Sequence, residues 1–335
     1  MKLLVLNQAD VARLLPMNEC IEVMASALEA LSRGEAELPL RATMWLPDKT
    51  GALVTMPSYL GHINAFGLKV ITYFAGNRGT PLDTHQGGVL LFDPKDGRLL
   101  AIVDATEITS LRTAAVTAVA TRLLARPEAS QLALLGAGTQ ARTHLDSMLM
   151  IRPIKRVKVW SLTVEESARF AAAASERHQV CVEVAATAEE AVRGVDLVCT
   201  VTSSIEPILK GAWIQPGTHI NAIGSSIPFA RELDSEAVRK SRLFVDRKES
   251  TVNEAGDFLL AKKEGVVDES HIVGEIGDIL TGKLKGRNSP DEITLYKSLG
   301  LAIEDLASAQ HVFRKAQEQG IGTVIEFGGS RHETS

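Results

Sequence analysis

Residues 136–141 read Gly-Ala-Gly-Thr-Gln-Ala, an order of residue types suited to one physical task. The first glycine permits a tight turn and the second lets a backbone come close to a pyrophosphate. The third small residue lets a helix lie against the preceding strand with its N-terminus facing the anion. The surroundings fit: the apolar run QLALL (131–135) comes before, a helical stretch from Gln140 to Met150 follows, and RVKVW (156–160) offers a second strand about 20 residues on. A dinucleotide site is therefore expected at Gly136, Ala137, Gly138, Thr139 and Gln140, with a ligand-free small-residue turn as the competing reading. The end of the second strand should select the cofactor, since an acid there takes the ribose hydroxyls and a basic residue welcomes a 2′-phosphate. That place holds Ser161-Leu162-Thr163, which leaves NADH and NADPH both open.

Three cations stand out by context. Arg41 follows the run LPL, Lys69 lies inside FGLKVITYF, and Arg112 opens a helical stretch ahead of the dinucleotide strand. A lysine in so apolar a strand must snorkel, pair or face a cavity. Singly, each cation reads equally as a surface residue. Together they suit recognition of an α-carboxylate, the guanidinium as a fork of donors and the ammonium as a compact charge. Asp83, Thr84 and His85, in PLDTHQGG, could join them, although turn chemistry accounts for the Asp and Thr as well. No G-x-S-x-G elbow supports a serine nucleophile.

The elements that must carry these residues are legible from periodicity. KLLVL (2–6) predicts a strand, and Met17 to Ser32 a helix with Ile21, Met24, Leu28 and Leu31 on one face. Between 38 and 104, short apolar runs broken by DKTG, AGNRGTP and PKDG predict an antiparallel sheet. A helix is expected from Thr113 to Ala125, and then apolar runs at 131–135, 156–160, 181–184, 196–201, 218–223 and 242–246 alternate with helical stretches. The fold class is therefore α/β, a Rossmann-type doubly wound domain joined to an α+β domain with an antiparallel sheet. The tail predicts a helix near 294–318 and a strand at GTVIEF.

At 335 residues the chain has room for about two domains at roughly 100–200 residues each. With 36 basic against 41 acidic residues and no long Lys/Arg cluster, it lacks the footprint of a nucleic-acid binder. The apolar run after Lys2 is too short for a signal core or membrane span, so a cytoplasmic protein is expected. Cys20, Cys181 and Cys199 are widely spaced and the histidines are scattered, giving no disulfide framework and no metal site.

The chain resembles the ornithine cyclodeaminase/mu-crystallin family over nearly its whole length. The resemblance rests on MPSYLG, FGLKV, HQGGVLLFDPKDGRLLAIVD, ITSLRTAAVTAVATRLLA, LGAGTQA, NAIGSS, GEIGDILTGKLKGR and SPDEITLYKSLGLAIEDLASA, in the family's order. It implies a substrate-binding and dimerisation domain at 1–114 with 301–335, an NAD(P)-binding domain at 115–300, and a homodimer. It also implies that Arg41, Lys69 and Arg112 bind the substrate carboxylate, with Lys69 catalytic. Thr113 and the 136–141 turn would take the pyrophosphate, Ser161 and Thr163 the adenosine ribose, Thr200, Val201 and Thr202 the nucleoside. Ala222, Ile223, Gly224, Ser298 and Gly300 would lie towards the nicotinamide. One departure bears on chemistry: where ornithine cyclodeaminases resemble G-x-D-x-P-G-K-x-E-L, this chain reads GSSIPFAREL, with Ser226 in place of the acid. A serine there is similar to the ketimine reductase branch. The expectation is thus an NAD(P)H-dependent reductase of a small α-imino acid, with an ornithine cyclodeaminase or alanine dehydrogenase-like enzyme as first alternative and a non-catalytic NADPH- and ligand-binding protein as second.

Overall fold

The computed structural model describes residues 2–328; residue 1 and residues 329–335 of the expected first domain lie outside them. The strands, in chain order, are β1 (Lys2–Leu6), β2 (Ala36–Glu37), β3 (Ala42–Trp45), β4 (Ala52–Leu60), β5 (Ala65–Tyr73), β6 (His85–Phe92), β7 (Leu99–Asp104), β8 (Gln131–Leu135), β9 (Arg156–Trp160), β10 (Cys181–Val184), β11 (Leu197–Thr200), β12 (His219–Ala222), β13 (Arg242–Val245), β14 (Ile272–Glu275), β15 (Thr294–Lys297) and β16 (Thr323–Glu326). They divide between two compact units, one running up to Arg112 and resuming at Leu301, the other Thr113–Gly300.

The first unit is built on a sheet ordered β16-β1-β7-β6-β5-β4-β2, with β3 paired to β4. Its neighbours β4, β5, β6 and β7 are antiparallel, and β1 enters parallel to β7. Period-two alternation sorts the two faces. Gly67, Lys69, Val89, Leu91, Ala101 and Val103 are buried on one face, covered by the helix Ala302–Gln319, which also packs on the helix Met17–Ser32. Phe66, Leu68, Leu90, Phe92 and Ile102 share the other face and keep partial exposure. Gly67 sets how closely the covering helix lies, because a Cβ there would stand 2.6 Å from the Leu90 carbonyl oxygen and 2.8 Å from Leu306 Cδ1.

The second unit is an all-parallel sheet ordered β10-β9-β8-β11-β12-β15-β13-β14. The chain moves outward from β8 to β10, then restarts on the other side of β8 with β11, so the strand order reverses between β8 and β11. In open α/β sheets that reversal marks the ligand crevice. Strands β8, β11 and β12 are almost wholly buried, as befits a sheet covered on both faces.

Two elements differ from the sequence expectation. The helix expected from Thr113 begins at Ala105 and runs to Leu124. The β-branched residues Thr106, Ile108, Thr109 and Thr113 lower local helix propensity, but Asp104 Oδ1 accepts the Glu107 N–H at 2.8 Å, and Ala105 and Ile108 are buried. The helix expected near 294–318 is instead the buried strand β15, held between β12 and β13, followed by a helix that starts only at Ala302, after Gly300 turns at φ +76°. Four residues are too few for periodicity to separate strand from helix. Among the described residues no helix is long and apolar enough to cross a membrane.

Gly67→Ala should force the covering helix or β6 to shift and lower stability by about 1–3 kcal/mol. Urea unfolding monitored by circular dichroism measures it.

Candidate active site

Lys69 lies on the covered face of β5, so its ammonium points into the helix Ala302–Gln319 and not into water. Its Nζ donates to Asp305 Oδ1 and to Thr109 Oγ1, both at 2.8 Å. Arg112 reaches the same carboxylate, Nε to Asp305 Oδ1 at 3.1 Å, and places Nη1 2.7 Å from Glu304 Oε2. All four charged groups are buried. The two cations are thus balanced by two consecutive acids in the first turn of one helix, a charge-neutral set.

Burial lowers the Lys69 pKa from its ordinary 10.5 to about 8, with Asp305 opposing the fall and the charges of Arg112 and Arg41 adding to it. Burial works against the Asp305 anion too, but Arg112 and Lys69 outweigh it and hold Asp305 below the usual carboxylate range. For Arg112, desolvation is likewise outweighed by Asp305 and Glu304, so the guanidinium stays charged. The influence of Arg41 and Arg112 on Lys69 brings the three sequence-selected cations into one electrostatic neighbourhood, with half-buried Arg41 just ahead of β3. The internal bonds do not exhaust the donors: among the described residues Lys69 uses two of its three N–H groups and the Nη2 end of Arg112 makes no hydrogen bond. These remaining donors can grip a carboxylate. His85, exposed at the start of β6, has its ring centre 4.9 Å from that of Tyr73, the two planes tilted by 48°.

The second unit gathers its candidate residues along one edge of the sheet. Leu135, Thr200, Ala222 and Lys297 are register partners across β8, β11, β12 and β15, so the segments that follow all leave from the same carboxyl edge. Gly136 leaves β8 at φ +122°, its N–H bonded to the Trp160 carbonyl at 2.7 Å, and an added Cβ would meet the Val201 backbone at 2.9 Å. Gly138 caps the helix Thr139–Ile151 and has no atom within 4 Å of where its Cβ would stand. A glycine with open space before it, at a helix N-terminus on the crevice edge, fits a pyrophosphate cradle, and Gln140 Oε1 is buried there without a hydrogen-bond partner. A cavity of about 420 Å³ is bordered by Ala137, Gly138, Thr139 and Arg142, while 200–202 and 222–224 do not line it.

The remaining expected positions fall as follows. Thr113 is buried in the helix Ala105–Leu124. Ser161 Oγ bonds the Thr163 carbonyl and Ser167 Oγ at 2.9 Å each, and Thr163 caps the helix Val164–His178, so both hydroxyls also shape the turn after β9. Thr200 and Thr202 are tied to Glu232, Val201 N–H to the Leu135 carbonyl, and Ile223 N–H to the Thr200 carbonyl. Gly224 N–H bonds Glu232 Oε2 at 2.7 Å. Ser298 N–H bonds the Ala222 carbonyl, and Gly300 N–H bonds Asp246 Oδ2 at 2.8 Å. Ser226 is half-buried in the segment after β12.

Sequence reasoning missed Glu304, Asp305, Thr109 and Glu232. Glu304 and Asp305 read as ordinary acids of a first helical turn, yet Ile303, Leu306 and Ala307 around them mark a helix buried on nearly every side. A lysine in an apolar strand was the signal that such an acid had to exist.

A doubly wound parallel sheet with a glycine turn at its reversal point makes the second unit a Rossmann-type dinucleotide fold, here combined with an α+β unit that holds a buried Lys–Arg pair. The chain belongs to the ornithine cyclodeaminase/mu-crystallin family, whose profile matches residues 1–320. It is 38% identical to the ketimine reductase mu-crystallin of Mus musculus over 296 residues, 88% of this chain and 90% of that protein. Among solved structures, it is similar to the Δ1-pyrroline-2-carboxylate reductase of Thermococcus litoralis, in complex with NADH and L-proline, at 41% identity and TM-score 0.93, covering 96% of this chain and 99% of that one. An archaeal alanine dehydrogenase dimer with bound NAD matches at 33% identity and TM-score 0.92, over 98% and 100%.

The two turn glycines should separate cleanly. Gly138→Val has space and an extended backbone at φ −89°, so the folded variant should keep its melting temperature and lose dinucleotide binding, whereas Gly136→Ala should be destabilised by about 1–3 kcal/mol. Calorimetric melting and NADH titration of both variants make the comparison.

Proposed function

We propose that the protein is an NAD(P)H-dependent reductase of a cyclic α-imino acid, of which Δ1-pyrroline-2-carboxylate reduced to proline is the representative case. The observation that carries this reading is the buried Lys69–Arg112 pair, neutralised by Glu304 and Asp305 yet with donors left over. The set is neutral and its spare donors lie in the same electrostatic neighbourhood as Arg41, which suits an added carboxylate. The reductases of Thermococcus litoralis and mouse support the substrate class. Bound NAD(P)H supplies the hydride that reduces the C=N carbon.

The chain's own residues bind, orient and hold a proton. Arg41 and Arg112 take the substrate carboxylate, and Thr109 with Asp305 fixes Lys69 so that its remaining N–H is directed and not mobile. The Lys69 ammonium keeps the imine nitrogen protonated and therefore electrophilic. The turn at 136–140 holds the pyrophosphate through backbone N–H groups and the helix N-terminus. No carboxylate stands at 161–163 to repel a 2′-phosphate, so both NADH and NADPH are expected to serve. The partly exposed apolar face of β5, β6 and β7 suits a homodimer, the assembly named for the archaeal alanine dehydrogenase. We place the protein in the cytoplasm.

Arg112 anchors two buried acids, so its removal would damage the fold as well as the substrate grip. Arg41 is the cleaner probe: Arg41→Met should raise KM for the imino acid about 10- to 100-fold while the Kd for NADH stays within about twofold. The pH profile follows from Lys69. Its proton is present below about 8 and lost above, so kcat/KM, which reports the free protein, should fall about tenfold per pH unit above that point. Stability should move the other way: with the folded pKa near 8 and the ordinary value 10.5, the unfolded chain binds more protons between them, and stability rises with pH there.

The deciding assay follows NADH consumption with Δ1-pyrroline-2-carboxylate, alongside ornithine with NAD⁺. Cyclising ornithine needs repeated proton transfer at nitrogen, for which Ser226 is a poor replacement for a carboxylate. Imine reduction with negligible proline from ornithine is expected; efficient proline formation from ornithine would overturn the assignment.

A further inference from the structure

Glu232 lies in the segment after β12, fully buried, and none of the sequence reasoning gave it a role. Both oxygens of its carboxylate are saturated by donors from two different segments. Oε2 accepts from Thr200 Oγ1 at 2.6 Å and from the Gly224 N–H at 2.7 Å. Oε1 accepts from the Thr202 N–H and from Thr202 Oγ1, both at 2.7 Å. One side chain therefore bridges the ends of β11 and β12, tying 200–202, expected beside the nucleoside, to 222–224, expected towards the nicotinamide. Gly224 makes the bridge possible, since a Cβ there would collide with the Thr202 carbonyl oxygen and with the Glu232 carboxylate.

The carboxylate is itself held in place. Asp257 Oδ1 accepts the Glu232 and Leu233 N–H groups at 2.8 and 2.9 Å. Lys297, buried at the end of β15, lies 2.9 Å from Asp257 Oδ2 and donates to the Ala222 and Ser225 carbonyls. Burial and the nearby Asp257 raise the Glu232 pKa, while Lys297 and the two threonines oppose them. The anion can accept from all four groups at once, whereas a neutral acid would have to give its hydrogen to a threonine hydroxyl and reverse that bond, because the Thr202 and Gly224 N–H groups can only donate.

From this bridging geometry we infer that Glu232 is the positioning residue for the nicotinamide half of the cofactor site, fixing the backbone of 200–202 and 222–224 without touching cofactor or substrate. The inference rests on the dinucleotide reading of the second unit. It also explains why glutamine is no neutral replacement. In Glu232→Gln the amide nitrogen faces either the Gly224 N–H or the Thr202 N–H, and neither backbone group can act as acceptor. One of the two segments then loses its anchor whichever way the amide turns.

The test compares binding of NADH with that of ADP-ribose, which ends before the nicotinamide ring. Glu232→Gln should weaken NADH about tenfold or more and ADP-ribose by less than about threefold. Hydrogen exchange of the Thr202 and Gly224 amides should speed up in the variant. Equal weakening of both ligands would reduce Glu232 to a general stabiliser of the unit, and unchanged NADH affinity would also overturn the inference. Should Glu232→Gln fail to fold, the isosteric Thr200→Val removes one of the four donors and should weaken NADH about threefold with ADP-ribose unaffected; equal affinities there overturn it equally. If the unsubstituted chain binds neither ligand, the dinucleotide reading fails first and this inference falls with it.

Discussion

Two cations and two carboxylates share one dry volume in the first unit, and the architecture around them answers to that fact. A single buried ammonium is strongly disfavoured, whereas Lys69 with Arg112 against Glu304 with Asp305 sums to zero and meets its neighbours in hydrogen-bond geometry. The arrangement explains why a lysine stands on the covered alternation of β5, and why Gly67 admits a close helix. It also explains why the helix Ala302–Gln319 carries acids in a first turn that never sees water. Two further contacts, the His311 hydrogen bond and the Lys315 ion pair to Glu19, tie the same helix to Met17–Ser32 nearer the surface.

The second unit follows a different logic. Where its strands end, side-chain carboxylates take over the role of ladder carbonyls. Asp246 accepts the Leu299 and Gly300 N–H groups, Asp257 those of Glu232 and Leu233, and Glu232 those of Thr202 and Gly224. Each would otherwise leave a backbone donor in need of a partner close to the sheet edge. The loops that leave the sheet are thereby tied back by hydrogen bonds of their own, which suits a site that must hold a flexible dinucleotide in one pose.

Legibility from the sequence tracked how local each determinant is. The glycine turn and the strands at 131–135, 156–160 and 181–184 were readable because the relevant residues are neighbours in the chain. So was the helix Met17–Ser32, whose apolar face repeats within sixteen residues. The strand β15 was not, since TLYK carries no period and owes its conformation to β12 and β13 on either side. The three cations could be picked out by their oddity, but the acids that Lys69 and Arg112 pair with lie 192 to 236 residues away, and nothing in local spacing announces such a pairing. Glu232 was hidden for a similar reason: it stands in GSSIPFAREL, but its partners are backbone and hydroxyl groups up to 32 residues away that local spacing does not announce.

The first unit is discontinuous, broken after Arg112 and resumed at Leu301, while Thr113–Gly300 is one unbroken stretch. On a ribosome adding about 5–20 residues per second, Lys69 waits roughly 10–50 s for Asp305, 236 residues later, to be made. During that interval β4, β5, β6 and β7 can pair, but the lysine has no counter-ion and the apolar side of the sheet has no covering helix. The inserted unit, whose first helix begins upstream at Ala105, is fully synthesised before the helix that completes the first unit. In the nascent protein the order of birth and the order of completion are therefore reversed, and the half-made sheet is the species that a chaperone would meet.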